Sequence, residues 1–262
     1  MRRALLVTLA LGVAPSLAHA GDARAPRVVI DAGHGGRQTG AVGVQGVVEK
    51  EVVLAVAHEA ARLLTDAGWE VVLTRPDDRQ VGLAERVRLA NAAGADLFVS
   101  IHCNAYTGPG SRRVRGIETY FLSADATDEA ARRLARYENQ NAGMAPRSAD
   151  DPLSRILHDL AVSAAHEGSA RLAGALQEAL VAAMGWPDRG VRQAPFAVLN
   201  GAAMPAVLVE LGFLTHPSEG QQLAEAATQR RLAEALVAGL AAARTKLGLP
   251  APTGRRRLHA RR

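Results

Sequence analysis

Cysteine is nearly absent from this 262-residue chain, with Cys103 as its single example. One thiol excludes an intramolecular disulfide framework and any cysteine-built zinc site. Long apolar runs are missing after the first twenty residues, so no later segment reaches the roughly 20 residues that a membrane span needs. There is no internal repeat, no low-complexity linker, and no compact His-x-x-x-His pair to announce a metal. What is present, 48% hydrophobic and 22% charged residues, fits a folded globular protein and excludes general disorder. The length suits one large domain or two small ones, with a core that needs no staples.

The formal net charge of +5 raises the question of nucleic acid or anionic surfaces, and the answer lies in where the charge sits. Residues 1–20 place Arg2 and Arg3 before an apolar stretch, Ala4 to Leu17, and end on Ala18-His19-Ala20. That is the layout of a cleavable secretory signal, and about 14 apolar residues are too few for a membrane anchor. No cysteine follows to take a lipid. Export to the periplasm is expected, with no integral membrane segment after cleavage. At the other end, residues 247–262 read as a basic, disordered tail carrying Arg255, Arg256, Arg257, Arg261 and Arg262. Setting both ends aside leaves 24 basic residues against the same 26 acidic ones. The body is near neutral, and a nucleic-acid partner is excluded as the expected function.

Within the body, apolar runs alternate with helical periodicity. Arg27 to Asp31, Trp69 to Thr74, Asp96 to His102 and Gly116 to Leu122 read as strands. Between them, Glu49 to Ala67 carries Val52, Val53, Val56, Ala60, Leu63 and Leu64 at helical spacing and stops at Gly68, and Leu83 to Ala93 stops at Gly94. Further strands are expected near Phe196–Leu199 and Ala206–Leu211, with a closing helix from Gln229 to Lys246. This rhythm implies an α/β fold: a single three-layer domain over residues 27–246, with a mostly parallel twisted sheet flanked by helices. Residues 123–168 interrupt it with an inserted helical segment. That segment holds a polar helix near Asp128 to Asn141, a loop MAPRSADDP, and a helix from Leu153; a further helix runs through Met184.

Three potential metal ligands stand at element ends. His34 follows the first strand, Glu49 opens the first long helix, and His102 closes the third strand. The carboxyl ends of parallel strands share one edge, where clefts form, so the three can converge. Two imidazoles, a carboxylate and a water describe a catalytic zinc site. Each residue alone has a plainer reading: a carboxylate at a helix start is favourable anyway, and a histidine at a strand end is often satisfied structurally. Glu210, read as ending the apolar strand from Met204, is placed to take a proton from a zinc-activated water, or to be a salt-bridged glutamate at a sheet edge. Cys103 neighbours His102 and points to the opposite strand face, which makes it a small core residue. His58, His158 and His166 have no partner pattern and are expected to face solvent.

The motifs VVIDAGHGG, VVEKEVVLAVA, VVLTRPDD with LAERVRLAN, LFVSIHCNA, GIETYFLS and MPAVLVELGFLTH occur in this order across residues 27–246. Together they resemble the zinc-dependent N-acetylmuramoyl-L-alanine amidases of the amidase-3 family. The resemblance implies that His34, Glu49 and His102 hold Zn2+ and that Glu210 is the catalytic glutamate. It selects Glu49 over Glu51 because the family's ligand directly precedes a lysine, here Lys50. It implies a peptidoglycan substrate, cleaved between N-acetylmuramic acid and L-alanine during cell-wall remodelling or daughter-cell separation. The chain departs from the family at Gln38-Thr39, Cys103 and His216, none of them an implied ligand.

The 123–168 segment is similar to the helical region of cell-separation amidases, which LytM-type activator proteins relieve of autoinhibition. By that likeness Glu138 is the candidate autoinhibitory ligand, filling the zinc's open position at rest. Neither a separate N-terminal targeting domain nor a wall-binding repeat is expected. Two other classes are distinguishable by experiment: another zinc peptidase of envelope peptides, and a catalytically silent peptidoglycan-binding or divisome scaffold.

Overall fold

The computed structural model describes residues 24–140 and 152–252. The expected signal at 1–20, the core of the MAPRSADDP loop, the side chain of His158 and the arginines of the tail lie outside the described residues.

Six strands form one sheet: β1 (Arg27–Ala32), β2 (Glu70–Leu73), β3 (Leu97–Asn104), β4 (Ile117–Leu122), β5 (Asp188–Ala194) and β6 (Ala206–Phe213), in the order β2-β1-β3-β6-β4-β5. The four strands β2, β1, β3 and β6 run parallel; β4 meets β6 antiparallel, and β5 runs parallel to β4. The sheet is therefore mostly parallel, as the alternation of apolar runs and helices predicts. Its helices are α1 (Glu49–Asp66), α2 (Leu83–Ala92), α3 (Glu129–Asn139), α4 (Pro152–Met184), α5 (Pro217–Leu223) and α6 (Ala226–Lys246).

Alternation along the strands sorts side chains onto two faces. Val28, Ile30, Val99, Ile101, Cys103, Val207 and Val209 pack with buried residues of α1, α4 and α6. Val29, Phe98, Tyr120 and Leu208 pack on the other face with Ala90 of α2 and Ala131 and Ala135 of α3. The helices α1, α4 and α6 thus cover one side, and α2 and α3 the other, giving three layers. The polar positions Asp31, Ser100, His102, Glu210 and Glu118 alternate with residues of the first cluster, so they share the face under α2 and α3.

Several sequence expectations need correction. Residues Phe196–Leu199 are not a strand; Ala197–Leu199 is a single 3-10 turn, and the strand lies upstream at Asp188–Ala194. That strand (DRGVRQA) sits at the sheet edge with half-buried or exposed residues over most of its length, so it carries little apolar signal. Neither His102 nor Glu210 ends its strand: β3 continues through Asn104 and β6 through Phe213. The helix from Leu153 and the helix through Met184 are one continuous helix, α4. At the start of the expected tail, Leu247 and Leu249 pack against the core, and Arg244 donates to the carbonyls of Leu249 and Pro250. The short helix α5, capped by His216 Nδ1 accepting from the Ser218 and Glu219 amides, had no counterpart in the sequence pattern.

The 123–168 segment is fastened to the sheet at α3. Asp128 caps that helix by accepting from the Ala131 amide at 2.8 Å, and its other oxygen pairs with Arg192 of β5 at 2.6 Å. At the far end, Asn139 donates to Pro195 O and accepts from the Ala197 amide, both at 2.8 Å. Between them Ala131, Ala135 and Glu138 form the buried stripe, at spacings of four and three residues.

Candidate metal centre

The turn after β1 is where the chain first builds the site. His34 lies in the left-handed region, at φ 57°, inside a run of glycines. Two of the glycines near it are required by close approach. A Cβ on Gly33 would strike the His102 ring, and a Cβ on Gly40, which has φ 68°, would strike Glu49 and the His34 ring. Glycine lets the backbone come this near its ligands.

Two buried arginines hold that turn. Arg86 donates to Asp31 Oδ1 at 2.6 Å, to Ala32 O at 2.7 Å and to His34 O at 2.6 Å. Arg75 donates to the carbonyls of Ala32, Gly33 and Lys50, each at 2.8 Å, so it ties the His34 turn to the first turn of α1. Asp31 also accepts from Ser100 Oγ at 2.7 Å and Thr74 Oγ1 at 2.5 Å. Burial pushes the Asp31 carboxyl up, but Arg86 with the two hydroxyls outweighs it and holds it below its ordinary value. Asp31, Arg75 and Arg86 escaped the sequence reading. The available signal was Arg86 falling on the apolar stripe of α2 with Val87 and Ala90.

Around this frame His34, Glu49, His102 and Glu138 converge, with one potential ligand atom from each lying within 4.8 Å of all the others. His34 Nε2 is 2.9 Å from Glu49 Oε1 and 3.5 Å from Glu138 Oε2. His102 Nδ1 is 3.0 Å from Glu49 Oε1 and 3.3 Å from Glu138 Oε2. Glu49 is fully buried; its Oε2 accepts from the Ala41 amide at 2.8 Å and its Oε1 from the Cys103 amide at 3.0 Å. These two amides set the carboxylate's orientation. Burial drives the Glu49 carboxyl up, yet His34 and His102 together bring it below the ordinary range. Burial likewise depresses the His102 imidazole, while Glu138 and Glu49 raise it past its ordinary value. Burial raises the Glu138 carboxyl, only partly offset by His102.

This set fits a divalent metal. His34 Nε2 is buried with no hydrogen-bond partner among the described residues, an expensive state for a polar atom unless something accepts its lone pair. A four-coordinate ion with bonds near 2.0–2.1 Å has ligand-to-ligand edges of about 3.3 Å, the range that the four contacts span. Imidazole and carboxylate are also donors that such ions prefer.

Glu210 stands beside the group through the sheet register. It pairs with His102 across β3 and β6, and with Glu118 across β6 and β4. Its side chain is fully buried and neither carboxyl oxygen has a partner among the described residues. Burial, then Glu138, Glu49 and Glu118, push its carboxyl well above the ordinary value. Next to it Glu118 accepts from Arg189 Nε at 2.6 Å, Tyr120 OH at 2.8 Å and Asn104 Nδ2 at 3.0 Å. A cleft of about 630 Å³ opens along this side, bounded by Asn104, Tyr106, Glu118, Tyr137, Glu138 and Arg189. Cys103 is buried in the apolar cluster on the opposite face, outside the ligand group. His58 and His166 are exposed, the latter packed edge-on to Phe121.

Residues 28–242 match the family model described as N-acetylmuramoyl-L-alanine amidase. The chain is 36% identical over 217 residues to the N-acetylmuramoyl-L-alanine amidase AmiA of Escherichia coli, covering 81% of this chain and 74% of that protein. It is also 36% identical over 239 residues to the uncharacterized protein YqiI of Bacillus subtilis, covering 91% and 95% respectively. Among solved structures, an N-acetylmuramoyl-L-alanine amidase from Clostridium difficile superposes with a TM-score of 0.64 at 32% identity, over 84% of this chain and 96% of that one.

Proposed function

The chain belongs to the N-acetylmuramoyl-L-alanine amidase family, and from that membership we propose how its own residues cleave the amide between N-acetylmuramic acid and L-alanine in peptidoglycan. His34 through Nε2, His102 through Nδ1 and the Glu49 carboxylate would hold the resident metal, which we assign as zinc. Zinc in such a setting supplies Lewis acidity, polarising a carbonyl and making a nearby water a better nucleophile. Glu210 receives the proton of the attacking water on a carboxylate oxygen and passes it to the leaving nitrogen of L-alanine. Its enclosure suits this proton traffic, because both oxygens are uncommitted to other donors. Arg86 and Arg75 keep the His34 turn and the start of α1 in register, so that reacting groups meet in one place.

Glu138 would take the fourth place around the metal, as an autoinhibitory ligand carried on α3. A shell closed by a protein carboxylate leaves no position for substrate, and a closed shell is structural rather than catalytic. Activity then requires α3 to move, which gives a LytM-type activator protein a defined task. Action in the periplasm, in wall remodelling or daughter-cell separation, follows from the substrate together with the signal-like residues 1–20. Among the described residues no helix is long and apolar enough to cross a membrane.

The observation that carries this reading is the convergence of two imidazoles and a carboxylate beside a buried, unpartnered Glu210. Digestion of purified sacculi, with and without chelator, followed by mass spectrometry of the soluble products, tests it. Intact stem peptides beginning at L-alanine are expected; release of single residues or shortened peptides would assign a different peptidase.

A further inference from the structure

We propose that Arg189 forms a subsite for the α-carboxylate of the second stem-peptide residue, the γ-linked glutamate that follows L-alanine; this rests on the amidase reading above. The edge pair β4 and β5 carries an irregularity at this point. Ile117 pairs with Asp188 but Thr119 pairs with Val191, so β5 holds one extra residue opposite Glu118. A bulge of this kind re-aims a side chain and bends the strand. Gly190, at φ 86°, supplies the backbone conformation, and Asp188 Oδ1 accepts from its amide at 2.8 Å.

The result is that Arg189 turns onto the cleft face and is fixed there. Its Nε donates to the buried Glu118 carboxylate at 2.6 Å, and its guanidinium carbon lies 5.1 Å from the centroid of the Phe213 ring. The Nε bond leaves the two terminal amino groups, which make no hydrogen bond among the described residues, at a side chain 28% exposed beside the cleft. A planar guanidinium held by one edge presents the other as a ready fork for a carboxylate.

Spacing selects which carboxylate. His102, Glu210 and Glu118 occupy one row across three adjacent strands, so Glu118 stands two strand spacings, about 10 Å, from the ligand residue His102. A stem peptide extends by about 3.5 Å per residue. With the scissile bond held about 3 Å from the metal centre, the first residue ends at about 6.5 Å, short of Glu118 and Arg189, while the second extends to about 10 Å and brings its carboxylate to Arg189.

The test uses two synthetic muramoyl tripeptides that differ only at the second residue, with the α-carboxyl as free acid or as carboxamide. Both are offered to the zinc-loaded Glu138→Ala chain, whose centre is open, and to Glu138→Ala with Arg189→Gln. The Arg189-containing chain is expected to favour the acid by about tenfold or more in kcat/KM, mainly through KM, as for loss of a charged hydrogen bond. Arg189→Gln should bring that preference to within about twofold. Each ratio is taken within one preparation, so a lower folded fraction cancels. Should the variant not fold at all, the selectivity of the Arg189-containing chain decides alone. Equal use of both substrates by that chain, or an undiminished preference in Arg189→Gln, overturns the subsite and leaves the amidase reading standing. Cleavage of neither substrate by the Glu138→Ala chain overturns the amidase reading itself.

Discussion

Glu138 Oε2 lies 3.3 Å from His102 Nδ1, a helix side chain reaching a strand side chain across the covered face of the sheet. The contact exists because Ala131 and Ala135 are small enough to let α3 lie close, with Glu138 next along the same buried stripe. Removing the carboxylate frees the position it fills. Glu138→Ala should raise hydrolysis of dye-labelled sacculi at least several-fold while zinc content stays near one per chain. Unchanged basal activity would sink the autoinhibition proposal.

Glu210 and His34 are assigned different tasks, so their variants should separate. Glu210→Ala should retain zinc and lose activity by about 10²–10⁴-fold, the usual yield of a positioned acid–base group. His34→Ala should lose both, and chelation of the wild-type chain should abolish activity that added zinc restores. Metal analysis alongside turnover reads all three; substantial turnover in Glu210→Ala removes it from the proton path.

Arg86 and Asp31 are 1% and 0% exposed and 2.6 Å apart. Arg86→Ala would leave a buried carboxylate without its cation, and breaking such a pair costs about 3–5 kcal/mol. Urea denaturation at neutral pH should show this loss. Arg86→Lys should recover part of it, but not the fork that holds His34 O, so weakened zinc binding is expected to persist in a competition titration.

Acid stability should follow Asp31. Its folded pKa lies below the ordinary value, so the unfolded chain binds the proton more readily. The contribution is present above about pH 4 and is lost as pH falls through the folded-state value. Asp31→Asn is expected to lower stability at neutral pH and to flatten the decline below pH 4. An acid limb as steep as that of the wild-type chain would count against Asp31 as a source.

Gly40→Ala adds one methyl where Glu49 and the His34 ring already stand, at a backbone angle of φ 68° that alanine resists. Zinc affinity should fall at least tenfold, with stability reduced by about 1–3 kcal/mol. Thermal melts with and without zinc check both, because a loss of metal binding reduces the stabilisation that zinc provides.

Much of this molecule is legible along the chain, because strands and helices announce themselves by local spacing. The apolar runs that became β1, β3 and β4, the glycine stops of α1 and α2, and the sorting of Cys103 away from His102 all follow from periods of two and 3.6 residues. The motifs likewise nominate His34, Glu49, His102 and Glu210 before any contact is known. Tertiary structure alone decided the rest. β5 is an edge strand with little apolar signal, so only its pairing with β4 defines it and the bulge that turns Arg189. Asp31, Arg75 and Arg86 matter through carbonyls and carboxylates brought together from separate elements. Glu138 is nominated by the family likeness, but its meeting with His102 depends on how closely one helix packs on a sheet. Such contacts arise from long-range register and burial, and local periodicity carries neither.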